Sequence, residues 1–122
     1  MLITRRAFAG GDLASAEREF LAAAQDDPND AETFLDLGVL AVKRGDGKKA
    51  HSYFDRAVER GTLSLGQWES LASALSSRAE LWEAEKRPDE ARADLKRALD
   101  AASPDWSERP GLAARLKRLE GR

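Results

Sequence analysis

Six residues of the chain, Ala7, Gly11, Asp12, Ala16, Phe20 and Ala23, recur as Ala41, Gly45, Asp46, Ala50, Phe54 and Ala57, each 34 positions further on. A period of this length holds one helix hairpin. Such a unit cannot bury its apolar face alone and must stack on its neighbours. The repeated residues are the ones a hairpin needs. Glycine followed by aspartate stands where one helix stops and the next begins, the glycine accepting a left-handed backbone and the aspartate capping the new N-terminus. The alanines let helices approach closely, and the phenylalanines fill the space between them.

A chain of 122 residues has the size of one domain. Its net charge of −2, with 34% charged residues, offers no surplus for a polyanion, so nucleic acid is not an expected partner. With no cysteine and one histidine, His51, there is no disulfide framework, no thiolate metal site and no second ligand for a histidine site. No metal or cofactor is expected. Thr4-Arg5-Arg6-Ala7-Phe8 has the look of a twin-arginine export signal. However, Gly10-Gly11-Asp12 and then Glu17, Arg18 and Glu19 interrupt the apolar stretch of roughly 7 to 15 residues that such a signal requires. No segment reaches the ~18 apolar residues of a membrane span. The expectation is a cytoplasmic protein without membrane insertion.

The fullest pattern lies in the second unit: Phe34, Leu37, Gly38 and Ala41, then Ala50, Phe54 and Ala57. This resembles the tetratricopeptide repeat, in which a large residue, leucine and glycine mark the first helix, and alanine, an aromatic and alanine mark the second. Ala41 stands where a tyrosine is usual and Thr62 where proline is usual, while Pro28 occupies the closing position of the first unit. The resemblance covers residues 1 to about 102. It implies a right-handed α-α superhelix of three hairpins plus a C-terminal capping helix, within a single domain of residues 1–122.

The first unit, about 1–30, is incomplete on this count, because Met1 falls inside its first helix; the expectation is either that the natural chain begins upstream or that a second molecule covers the face around Leu2, Ile3 and Phe8. The second unit spans about 31–64. The third, about 65–102, is lengthened. Its opening alanine on the second helix, Ala91, follows Ala50 by seven residues more than the period, which is two helical turns. One long helix is therefore expected from about Gly66 to Lys86, with Trp68, Ala72, Leu75, Ala79 and Trp82 on one face. Pro88 suits a first helical position, and Ala91, Leu95, Ala98 and Ala102 continue inward. After a break at Pro104, Leu112, Leu116 and Leu119 form the stripe of a capping helix, about 110–120.

The resemblance also implies a concave groove lined by the first helix of each unit. Projection of the helices assigns Glu32, Leu35, Asp36, Val39, Val42 and Lys43 to it from the second unit, Arg5, Phe8 and Ala9 from the first, and Glu69, Ser70, Ser73, Ser76 and Ser77 from the third. Leu35, Val39 and Val42 make an apolar line that either completes the packing or receives an extended segment or amphipathic helix. The lysine, asparagine and arginine that co-chaperones of this family use to hold a C-terminal carboxylate are missing. Asp36 and Gly66 stand at two of those positions, and Arg5 alone supplies a cation nearby. A carboxylate-terminated chaperone tail is not the expected ligand.

Lone His51 reads as a surface or interface residue, the serines as solvated helix positions, and Arg109, Arg115, Lys117, Arg118 and Arg122 as the polar face of the cap. Trp82 and Trp106 either pack together to close the stack, the favoured reading, or leave Trp82 as an interface anchor. The function implied is a non-catalytic adaptor that binds a peptide or partner helix in its groove. The alternative is a subunit that homo-oligomerises through the incomplete first hairpin or the extended third one.

Overall fold

Aspartate caps set the starts of the first three described helices. In the computed structural model, which describes residues 12–121, the Asp12 carboxylate accepts from the backbone N–H of Ser15 and that of Asp46 from Lys49, both at 3.1 Å. Hydrogen bonds from Ser15 hold the Asp12 carboxyl below its ordinary pKa. Asp30 accepts from the N–H of Glu32 and the hydroxyl of Thr33. The helices that follow are α1 (Leu13–Asp26), α2 (Ala31–Lys43) and α3 (Gly47–Leu63), then α4 (Trp68–Ala84), α5 (Pro88–Ala101) and α6 (Arg109–Glu120). The described residues contain no strand.

The packing is that of a helical solenoid. Helices α2 and α3 form one tight hairpin and α4 and α5 another, while each helix also rests on the next and α2 touches α4 directly. That last contact sets the first helices of the two hairpins side by side. One core runs the length of the stack, through Ala16 and Phe20 of α1, Phe34, Leu37 and Leu40 of α2, and Ala57 and Val58 of α3. It continues through Ala72, Leu75 and Ala79 of α4, Ala91, Leu95 and Ala98 of α5, and Leu112 and Leu119 of α6. The repeated residues Ala16, Phe20, Ala50, Phe54 and Ala57 are all buried. Ala7 and Gly11, and the face around Leu2, Ile3 and Phe8, lie outside the described residues. Gln67 ties the hairpins together at their junction: its side-chain oxygen accepts from the N–H of Ala31 at 2.7 Å and its amide donates to the carbonyl of Asn29 at 3.0 Å.

Lys43 displaced by one period falls on Ser77, and α4 runs seven residues past it, to Ala84. The two expected extra turns therefore sit at the C-terminal end of this helix. It starts at Trp68 rather than near Gly66, because α3, with Thr62 in place of a proline, runs on to Leu63 and the turn through Ser64 and Gly66 must follow. Both α2 and α4 stop by the same device. After α2, the N–H groups of Gly45 and Asp46 bond back to Val42 and Ala41; after α4, those of Lys86 and Arg87 bond back to Glu83 and Trp82. This double closure needs a left-handed residue, which Gly45 supplies at φ 75° and Lys86 at φ 61°. Lysine pays a steric penalty there that glycine escapes. Lys86→Gly is therefore expected to raise stability by about 0.5–1 kcal/mol in a urea titration. A loss of stability would show that the Lys86 side chain contributes more than its backbone costs.

Candidate functional site

The outward face of α2 carries Glu32, Leu35, Asp36, Val39, Val42 and Lys43. Leu35 and Val39 are half-buried and lean on the cluster of Ala41, Ala50 and Phe54, whereas Val42 is 45% exposed. Asp36 is half-buried, and Glu32 and Lys43 are exposed. On α4, Glu69 is exposed and Ser70, Ser73, Ser76 and Ser77 are half-buried. Arg5, Phe8 and Ala9 lie outside the described residues.

Two depressions lie on this face, and they adjoin. The smaller, about 90 Å3, is walled by Val39 and Val42 of α2, with Phe54 below and Ser77, Glu80 and Leu81 of α4 opposite. The larger, about 350 Å3, lies between α4 and α6; Ser73, Ser76, Ser77 and Glu80 face Trp106, Glu108, Gly111, Leu112 and Arg115. Ser77 and Glu80 belong to both.

The second wall, from α6 and the segment before it, is what the sequence reading missed. Arg115 is not on a solvated face. Its side chain is 17% exposed, and it donates to Glu83 at 2.9 Å and to the Ser76 hydroxyl at 3.1 Å, with Glu80 4.0 Å away. The signal was its position three residues after inward-facing Leu112, which on a helix turns a side chain toward the neighbour on that flank. Trp106 does not pack on Trp82. It meets Trp68 edge to face, ring centres 5.9 Å apart and planes at 89°. Register explains the difference: the extra turns carry Trp82 away from the loop that holds Trp106, while Trp68, at the start of α4, stays beside it.

Trp82 belongs instead to a polar cluster on the other flank of α4. Its ring N–H donates to Asp94 at 3.0 Å, the His51 ring lies against it tilted by 40° with centroids 4.2 Å apart, and the Arg87 guanidinium lies 4.8 Å from its centre. Arg78 grips the same Asp94 with two nitrogens, at 2.7 and 2.8 Å, and turns a third to Asp55 at 2.8 Å. The pKa of Arg78 is raised, first by its hydrogen bonds to Asp94, against the opposing effect of burial. Half-buried Trp82 is thus anchored within the protein. His51 pairs with Glu85 at 2.8 Å. Among the described residues no three His, Cys, Asp or Glu side chains gather as a metal site, and no helix is long and apolar enough to cross a membrane.

Comparison with known proteins gives two results. The sequence model of the tetratricopeptide repeat matches residues 4–64 and, again, 35–105. Two proteins called cellulose synthase operon protein C, from Komagataeibacter sucrofermentans and Komagataeibacter xylinus, are each 27% identical to this chain over 66 residues. That stretch is 54% of the chain but only 5% of either relative.

Proposed function

The chain belongs to the tetratricopeptide repeat family, and on that premise we propose that it is a non-catalytic scaffold binding a segment of a partner protein along the face shared by α2 and α4. Repeats of this family generally mediate protein–protein contacts. The observation that carries the reading is the exposed Val42 beside half-buried Val39 and Leu35, opening onto the polar wall of α4. An apolar edge next to hydrogen-bonding groups suits a peptide that brings one apolar side chain and a backbone. Leu35 and Val39 complete the packing beneath it and shape the floor; Val42 makes the contact. The likeness to the cellulose synthase operon proteins, confined to 5% of their length, brings over nothing of their function.

The test follows from the exposure of Val42. A photoreactive benzophenone amino acid placed at Val42 is expected to cross-link a polypeptide in an extract of the source cells, while the same group at exposed Ala93 on α5 does not. Val42→Asp should abolish capture with the far-ultraviolet circular dichroism unchanged, since this side chain is not part of the core. Equal cross-linking from both positions would sink the assignment of the face. A cross-link to a second copy of the chain itself would turn the scaffold into a self-assembling one.

A further inference from the structure

We propose that the cleft between α4 and α6 receives a lysine or arginine side chain, so that the segment bound here is apolar and basic; this rests on the groove reading above and deepens it. Arg115 is the cation lining the cleft, and it is already engaged by Glu83 and Ser76 and largely covered. Glu80 lies 4.0 Å from the nearer Arg115 nitrogen and is 73% exposed, and Glu108 meets no cation among the described residues. With the Arg115–Glu83 pair neutral, the cleft presents two carboxylates to an incoming group. An anionic ligand would face both of them with no uncommitted cation.

The rest of the lining suits the same occupant. The hydroxyls of Ser73 and Ser77 can accept from an ammonium or guanidinium, and Trp106, braced by Trp68, supplies an aromatic wall with which a cation interacts favourably. The volume, about 350 Å3, is at the small end for a ligand site and suits a side chain rather than a domain surface. Because Ser77 and Glu80 also wall the depression at Val39 and Val42, an apolar side chain there and a cation between Glu80 and Glu108 belong to neighbouring positions of one bound segment.

The experiment uses three short fluorescein-labelled peptides in which leucines alternate with lysine, glutamine or glutamate, titrated with the whole chain and followed by fluorescence anisotropy. The lysine peptide is expected to bind about tenfold more tightly than the glutamine peptide, the glutamate peptide more weakly than either, and the preference to shrink as salt is added. Glu80→Gln with Glu108→Gln should remove that preference and leave the glutamine peptide's binding unchanged. Glu59→Gln with Asp100→Asn, which takes the same charge from exposed positions outside the cleft, should keep it. Equal loss in both double variants would mean that net charge alone acts and would overturn the proposal. Equal binding of all three peptides, abolished by Val42→Asp, would overturn the cation seat while leaving the groove standing. Binding of none would remove the groove and the seat together, as would binding of cellohexaose, run as a saccharide control, in place of the peptides.

Discussion

Replacing Arg78 with methionine is expected to cost about 3–5 kcal/mol of stability, far more than the loss of a surface ion pair. Asp94, its partner, is only 5% exposed and holds three hydrogen bonds, two from Arg78 and one from Trp82. Without the guanidinium a buried carboxylate keeps one neutral donor and no counter-charge, and the desolvation that the pair had offset is left exposed as a penalty. The design separates this cost from lost packing, because methionine retains most of the apolar stem of arginine. Adding Asp94→Asn removes the stranded charge while leaving Trp82 an acceptor, so the double variant should recover at least about 1–2 kcal/mol relative to Arg78→Met alone. Urea unfolding of the two singles and the double measures this. A loss below about 1 kcal/mol for Arg78→Met would place the pair among solvated surface bridges.

Arg78, Trp82 and Asp94 also show why part of the molecule was legible in the sequence and part was not. Features that repeat with the period, such as Phe20 and Phe54, both buried, or Asp12 and Asp46, both capping a helix, reveal themselves by recurrence. Two extra turns could be counted from the displacement of Ala91, and Pro88 marks the first turn of α5. The contents of those turns have no counterpart in another repeat. Nothing in the order of residues says that Arg78 reaches both Asp55 on α3 and Asp94 on α5, since these are contacts between helices with no fixed spacing in sequence. The left-handed Lys86 was hidden for a related reason: the hydrogen bonds ending α4 require the conformation and override the residue's own preference. The face of α2 could be projected, because it needs only helical periodicity. The cleft could not, because half of it comes from α6, whose position beside α4 depends on how the loop through Trp106 folds.

The second large effect concerns the tight hairpin of α2 and α3, where Gly38 and Phe54 share one space. Phe54 is 1% exposed, enclosed with Ala41 and Ala50 and backed by Val39 and Leu81, so Phe54→Ala should cost about 3–5 kcal/mol. Gly38→Ala places a methyl group 2.4 Å from two carbons of the same ring. The ring has no room to swing aside, so α2 must move away from α3, and overpacking of this kind costs about 1–3 kcal/mol. In a helix interior alanine is otherwise better than glycine by about 1 kcal/mol, so the sign of the effect reports on the ring alone. Once Phe54 has become alanine the obstacle is gone, and the added methyl lies against the cavity. Gly38→Ala is then expected to stabilise the protein, by about 1 kcal/mol, in the Phe54→Ala background while destabilising it in the native one. A double-mutant cycle measured by urea unfolding decides it. Effects of the same sign in both backgrounds would mean that the close approach of α2 and α3 is not set by this glycine and this ring.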